Sequence, residues 1–430
     1  MQIKLIFTVK VTCMKKLYLL SICLLLIANC FSQGFNWEWA HSAGAIPENA
    51  WQDGYGAACN QSTGVYICGL FEKTAIFGKD TVQAALYWSY YLARYDVAGN
   101  AKWIQYPHIQ DSTASSYATA VATDIAGDVY LTGVYYADSI YFGNIPAFGS
   151  EESIQAFLVK YDSTGNAHWV ATSTAGDMYS TSTAADENNN VYMAGYCGSA
   201  AILMPDTFIG PGTSNVFISK YDSAGNLLWL EGGGGKGTDA DNQIDALATD
   251  TLGNVYVAGN FISDTFRFID TVFYNPGNLL VGFTAKLSSV GNLLWIAVLS
   301  DSGTNLIQAV TSDYIGNVYI TGYNSNLELF VTKYNAQGQE LWKQNGTGTN
   351  STAGYSIAAD EDNNIYVAGS LYDTLYFDST LLTIVGNPDP MFLYKISPSG
   401  TVLNLQAFPS GGDDYIGVCI DRAGNGYIAG

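Results

Sequence analysis

The chain has 430 residues, and 48% of them are apolar, enough to bury a large core. Its 17 Lys and Arg stand against 38 Asp and Glu, a formal charge of −21, which excludes a nucleic-acid-binding surface because phosphate contacts need a basic face. Only three His and seven Cys are present and no Cys/His pair has ligand spacing, so zinc has no ligand set.

Residues 1–32 hold four Lys and no acidic residue, and Met14-Lys15-Lys16 precedes the apolar run 17–28. A basic start, about a dozen apolar residues and then small polar ones read as a secretory signal peptide, with cleavage expected near Ser32-Gln33. The run falls short of the roughly 20 residues of a membrane-spanning helix, so no membrane span is expected after cleavage. Residues 1–13 read as an upstream extension, with Met14 as the start. Asn29 before Cys30 is a poor match to a lipoprotein processing site, so a lipid anchor is not expected. Without its four Lys the chain keeps 13 basic residues against 38 acidic, the surface of a solvated, exported protein. Residues 35–44, FNWEWAHSAG, read as an isolated outer strand, with Trp39 in the place that Trp103, Trp169, Trp229, Trp295 and Trp342 take later.

From residue 60 onward one unit repeats. NQSTGVYICG, DIAGDVYLTG, DENNNVYMAG, DTLGNVYVAG, DYIGNVYITG, DEDNNIYVAG and DRAGNGYIAG are seven copies, whose tyrosines Tyr66, Tyr130, Tyr192, Tyr256, Tyr319, Tyr366 and Tyr427 are 64, 62, 64, 63, 47 and 61 residues apart. Asp bonds to its own backbone ahead and Gly or Asn accepts a left-handed conformation, so each copy reads as a tight turn between two strands, a and b. Strand b is apolar on both faces, as a strand covered on both sides must be. A second hairpin alternates with it, as in FLVKYDSTGNAHWV at Phe157 and FISKYDSAGNLLWL at Phe217, and supplies strands c and d. Most modules insert residues between b and c, often with an aromatic-Gly or aromatic-Asp pair such as Phe77-Gly78 or Phe377-Asp378. The Tyr319 module runs from Gly322 to Phe330 almost without an insert, so the blade does not need one. The insert is expected to add a small hairpin on one rim, where repeat proteins vary their contacts.

Four cysteines lie beyond the leader: Cys59, Cys68, Cys197 and Cys419. Cys59 and Cys68 sit on neighbouring strands, but the register of the other copies puts them diagonal, which favours buried thiols over a disulfide. The seventh copy begins near Tyr415 and ends after its b strand. With the orphan strand at the N-terminus, the ring is one c strand short, and the sequence reads as truncated in its seventh blade.

These elements predict an all-β protein, a β-propeller of seven four-stranded blades over residues 33–430, in which the N-terminal strand closes the last blade. GNVYVAG and KYDSAGNLLW resemble the bacterial SBBP (seven-bladed β-propeller) repeat over essentially residues 35–430. The resemblance implies an exported or surface-attached propeller with no single family activity, to which a C-terminal sorting domain can be joined. The sialidase Asp box fails on spacing, since Asp162, Gly165 and Trp169 are three and four apart where it needs two and three. Quinoprotein-type repeats share the Gly-to-Trp turn but lack the Asn-Val-Tyr hairpin.

No catalytic residue, metal ligand or cofactor site is expected. His41, His108 and His168 do not recur at equivalent places, and no G-x-S-x-G, H-E-x-x-H or P-loop is present. Residues 186–190 and 360–364 alternate oxygen ligands, yet Ile365 and Leu371 stand where a calcium loop needs Gly and Glu, so they read as hairpin turns. Residues 232–235 with Lys236 are Gly-rich but open no helix, and read as a flexible loop. The aromatic cluster Tyr87, Trp88, Tyr90 and Tyr91 reads first as core packing, and it is also the contact-surface candidate, for sugar stacking or a protein partner. The expected function is a non-enzymatic, monomeric binding, adhesion or scaffolding module outside the cell, with a protein or glycan as its partner. The alternatives are a hydrolase or hydrolase-accessory domain on extracellular polymers, and a quinoprotein-like envelope-assembly scaffold.

Overall fold

The computed structural model describes residues 6–12, 37–46, 52–60, 64–84, 87–107, 114–174, 176–236, 241–277, 279–299, 304–348, 352–371, 374–377, 380–383, 390–408 and 416–430. Every regular element among them is a β-strand. Six four-stranded antiparallel blades follow one another along contiguous chain, each running from strand a at the axis to strand d at the rim. Blade 1 is Gln52–Asn60, Gly64–Phe71, Ser89–Tyr95 and Ala101–Gln105. Blade 2 is Ser115–Thr123, Val129–Tyr136, Gln155–Tyr161 and Ala167–Thr172. Blade 3 is Met178–Ala185, Val191–Cys197, Ser214–Tyr221 and Leu227–Lys236. Blade 4 is Gln243–Thr249, Val255–Phe261, Val281–Leu287 and Leu293–Val298. Blade 5 is Asn305–Ser312, Val318–Asn324, Leu329–Tyr334 and Glu340–Asn345. Blade 6 is Thr352–Ala359, Ile365–Leu371, Met391–Ile396 and Val402–Phe408. The fold is a β-propeller.

The remaining place in the ring is filled from both ends of the chain. Gly417–Ile420 and Asn425–Ala429 are followed in one sheet by Ile6–Thr12 and then Trp37–Ile46. Contiguous blades therefore number six, one fewer than the seven repeat copies. The c position expected to be empty is taken by part of the segment read as an upstream extension. Its register shows why: Val9 pairs with Ile428 and Lys10 with Tyr427, as Val159 pairs with Leu131 and Lys160 with Tyr130 in blade 2. Phe7-Thr8-Val9-Lys10 is thus a degenerate copy of Phe157-Leu158-Val159-Lys160. On its other edge Val9 pairs with Ala40 and Val11 with Trp37, which puts Trp39 at the register position of Trp169. Residues 1–5 and 13–36, the rest of the expected leader, lie outside the described residues, as does Tyr415. The a strands touch in order from blade 1 through blade 6 to Gly417–Ile420 and back to blade 1, so the ring surrounds a central channel.

The repeated polar and aromatic residues close one blade on the next. In blade 3, Asp186 Oδ1 accepts the backbone N–H groups of Asn188 and Asn190 and so shapes the a–b turn. Its Oδ2 accepts the Tyr192 hydroxyl at 3.2 Å and meets Lys220 Nζ at 3.3 Å. Lys220, from strand c, lies 4.8 Å from the centre of the Tyr192 ring and donates to the Ser289 carbonyl of blade 4. Trp229, from strand d, donates its indole N–H to the same carbonyl at 3.2 Å. Lys160 with Trp169 and Lys333 with Trp342 share the carbonyls of Ser223 and Pro398 in the same way. The receiving turn carries a Gly because the Trp ring leaves no room for a side chain: a Cβ on Gly338 would lie 2.6 Å from Trp295. Strand b of each blade is buried on both faces between neighbouring blades, as its sequence requires; all seven residues of Val255–Phe261 are buried.

The inserts form small hairpins, such as Thr74–Phe77 with Asp80–Gln83 and Thr265–Phe268 with Thr271–Tyr274. Two of them add to the outer strand of the preceding place in the ring, Thr265–Phe268 to Leu227–Lys236 and Thr74–Phe77 to Trp37–Ile46, and a third, Thr374–Phe377, pairs with the short strand Thr347–Gly348 that follows the outer strand of blade 5. This corrects the reading of residues 232–235 as a flexible loop. They are the end of strand Leu227–Lys236, paired on one edge with Ser214–Tyr221 and on the other with Thr265–Phe268. Glycine fits because both neighbours close in; a Cβ on Gly234 would lie 2.0 Å from Asn215 Oδ1, and one on Gly233 2.4 Å from the Arg267 carbonyl.

Candidate functional site

Every contiguous blade carries a β-bulge at the same place in strand a. In blade 4 the pairing passes from Ile244 with Gly259 to Ala246 with Ala258, leaving Asp245 as the extra residue. The corresponding extra residues are Tyr55, Thr119, Thr181, Gln308 and Tyr355. A bulge re-aims one side chain out of the alternation of the strand, and all six line one mouth of the central channel. The last Gly of the repeat makes this possible. It stands on strand b opposite the bulge, where the bulge pushes a backbone carbonyl against it. A Cβ would lie 1.9 Å from Asp53 O at Gly69, 2.3 Å from Gln243 O at Gly259 and 1.8 Å from Leu306 O at Gly322. The fixed Gly serves the fold, and the residue it frees varies from blade to blade.

The mouth holds a cavity of 590 Å³. Besides the six bulge residues it is lined by Tyr117, Tyr179, Tyr196, Trp88 and Asp53, and among the described residues that line it none is Lys, Arg or His. Tyr179 and Tyr196 stack with ring centres 4.6 Å apart and planes 11° apart, a preformed aromatic step. Asp245 accepts hydrogen bonds from Gln243 Nε2 at 2.6 Å and Asn260 Nδ2 at 2.5 Å. Asn260 is itself held by its amide contacts to both backbone groups of Ile307.

Of the aromatic cluster expected at a contact surface, the structure brings one residue to this cavity. Trp88 lines it and is 38% exposed, and Tyr87 is exposed beside it, with ring centres 5.3 Å apart. Tyr90 and Tyr91 are fully buried. That is a correction: Tyr91 packs 4.9 Å from Phe77, and Tyr90 stacks on Phe142 between blades 1 and 2. The dense aromatics fill two faces of a covered strand.

Burial pushes the Asp245 carboxyl well above the usual carboxylate range, against the two amide donors. In the unfolded chain an Asp ionises near about pH 4. The folded protein therefore keeps this proton to higher pH than the unfolded one, so the group's contribution to stability is fully present below that value and is lost as pH rises through the folded one. Asp245→Asn is expected to flatten this decline. Urea midpoints of both proteins between about pH 4 and pH 7 check it, and equal slopes would contradict it.

A family model of the SBBP β-propeller repeat matches residues 342–370, from Trp342 in the outer strand of blade 5 through the a–b hairpin of blade 6 to just past Gly369. The same Asp, Tyr and Gly build the hairpin of blades 2 to 6. This chain is a β-propeller that carries an SBBP repeat at residues 342–370. Among curated proteins it is similar to the uncharacterized WD repeat-containing protein L264 of Acanthamoeba polyphaga mimivirus, 32% identical over 231 residues. That match takes in 47% of this chain and 15% of the relative, so the chain spans well under a fifth of the relative's length. Similar solved structures include a protein of unknown function from Bacteroides caccae, with a TM-score of 0.32 and 12% identity over 59% of this chain and 90% of that one. Another is the exotype rhamnogalacturonan lyase YesX, with a TM-score of 0.33 and 10% identity over 85% and 75% of the two chains.

At the other end of the propeller's channel a smaller hollow of 240 Å³ is lined by the repeat carboxylates Asp124, Asp186, Asp250 and Asp313, with Arg422 at its side. These carboxylates already serve the turns. In residues 360–364, Asp360 Oδ1 accepts the N–H groups of Asp362 and Asn364, and Oδ2 accepts Tyr366 OH at 3.1 Å and meets Lys395 at 3.3 Å. Among the described residues no group of three or more His, Cys, Asp and Glu is placed to hold a metal ion. His168 is exposed, with Nε2 3.2 Å from Asp162 Oδ2 in its own c–d turn. His108 lies outside the described residues, and His41 is described only as part of strand Trp37–Ile46.

Proposed function

We propose that this propeller is an exported, monomeric, non-enzymatic binding module that takes the end of an uncharged oligosaccharide in the aromatic mouth of its channel. The observation that carries the proposal is the ring of six bulge residues. The repeat keeps its Tyr and last Gly in every copy and its Asp, Lys and Trp in most of them, with Asn60 and Arg94 in blade 1 and Asn404 in blade 6 as departures, while the one re-aimed position per blade is free to differ. The chemistry there suits a neutral sugar. Flat rings at Tyr179, Tyr196 and Trp88 offer stacking faces to the C–H side of a pyranose. Gln308 offers both donors and acceptors for its hydroxyls, while Asp245 and the hydroxyl oxygens of Thr119 and Thr181, whose protons are held by backbone carbonyls, offer acceptors. The absence of a basic group from the lining disfavours anionic saccharides.

A glycan array probed with the full chain, followed by calorimetry on the glycans retained, tests this. Tyr179→Ala is expected to weaken binding by tenfold or more while Tyr274→Ala, on an exposed insert hairpin, leaves it unchanged. Equal affinity in the Tyr179 variant would remove the mouth from consideration, and cleavage of the retained glycan would replace binding with hydrolysis. Export has its own test, because cleavage near Ser32-Gln33 would take Ile6–Thr12 out of the sheet. Protein recovered from the medium is expected to begin at about residue 33; recovery of the intact N-terminus would contradict leader removal.

A further inference from the structure

The place where the ring closes differs in kind from the other junctions between blades. In blades 2, 4 and 5 the residue that ends strand a, just before the repeat's Asp, is a Thr or Ser whose hydroxyl reaches back to the strand a of the preceding blade. The Thr249 hydroxyl donates to the Ala185 carbonyl at 2.7 Å and the Ser312 hydroxyl to the Thr249 carbonyl at 2.9 Å. In blade 1 that residue is Cys59, and the preceding inner strand is Gly417–Ile420, from the other end of the chain. There Cys419 stands where five of the other copies have Ala58, Ala122, Ala184, Ala248 and Ala358 and the sixth has Thr311. The two strands are in contact, with the backbone of Gly56 and Ala57 against Gly417. Cys59 and Cys419 pack against one cluster that includes Tyr427 and Val65. Both are half-buried, whereas Cys68 and Cys197 are fully buried.

We propose that Cys59 and Cys419 form a disulfide that clasps the first inner strand to the last and closes the propeller covalently. Cys59 and Cys68 are not opposite each other, in line with the register read from the other copies: Cys59 pairs with Val65, and Cys68 with Gly56. Two S–H bonds are lost and one S–S bond forms. The two electrons and two protons reduce an external small-molecule disulfide to two thiols. The clasp spans nearly the whole chain, so it constrains the unfolded state over a long loop and holds together the one junction that continuous chain does not bridge.

The experiment uses the purified full chain treated with oxidised glutathione. Peptide mapping is expected to show the Cys59 peptide joined to the Cys419 peptide, with the intact mass lower by about 2 Da. The thermal midpoint should rise on oxidation and return with dithiothreitol. Cys419→Ser should lose all three changes, and Cys197→Ser should keep them. A bond from Cys59 to Cys68, a bond between two molecules, or two thiols that still react quantitatively after oxidation would overturn the proposal.

Discussion

Replacing Gly322 by Ala is expected to destabilise the protein by roughly 3 kcal/mol or more, far beyond the usual cost of one added methyl group. The new Cβ would lie 1.8 Å from the Leu306 carbonyl oxygen, and that oxygen is backbone within a bulge, so it cannot swing aside like a flexible side chain. Relief requires the bulge to flatten, which would shift strand Asn305–Ser312 by one residue and turn Ile307, now fully buried, toward the channel. Gly198→Ala is the control, because nothing lies within 4 Å of the position its Cβ would take. Chemical denaturation of the two variants separates a specific demand of the bulge from a general intolerance of alanine. Equal losses would show that the bulge is not what requires the glycine.

Lys220→Ala is expected to cost roughly 3–5 kcal/mol, the range for removing one partner of a buried ion pair. The side chains of Lys220 and Asp186 are 4% and 0% exposed, so the carboxylate would remain in the interior without its cation. The same substitution removes the donor to Ser289 in blade 4 and the charge over the Tyr192 ring. Most of the loss belongs to the stranded charge, so Asp186→Asn in the Lys220→Ala background should recover part of it, and a double-mutant cycle measures how much. Lys79→Ala, at an exposed turn, is expected to stay within about 0.5 kcal/mol of the parent protein. A Lys220 effect as small as that of Lys79 would mean that the inter-blade latch contributes nothing.

The blades were legible because closing a ring imposes the same local demands at each step. Asp for the turn, Tyr and Lys for the buried pair and Trp for the next blade's carbonyl must recur, and they do so visibly. The mouth was not legible for the complementary reason. Tyr55, Thr119, Thr181, Asp245, Gln308 and Tyr355 differ from one another, so no repeat pattern points to them. A signal was nevertheless present: a glycine held inside an otherwise apolar, β-branched strand marks a bulge or a close backbone approach. Gly69, Gly133, Gly195, Gly259, Gly322 and Gly369 each do so. Tyr90 and Tyr91 misled the contact-surface reading because aromatic density was taken there as exposure. Part of the room Tyr91 occupies is left by Gly69, whose missing Cβ would lie 3.0 Å from the Tyr91 ring. The segment Phe7-Thr8-Val9-Lys10 was overlooked because its lysine and apolar residues also suit a leader, and only its register beside Tyr427 shows the repeat pattern.

The division of labour between repeated and re-aimed residues is tested most directly by one variant in which Tyr55, Thr119, Thr181, Asp245, Gln308 and Tyr355 are all replaced by alanine. Thermal unfolding and glycan binding are then measured on the same preparation. The expected result is a cooperative transition within a few degrees of the parent protein together with loss of binding. A variant that fails to fold would place the bulge residues among those that hold the ring together, and one that folds and binds as before would move the ligand away from the mouth.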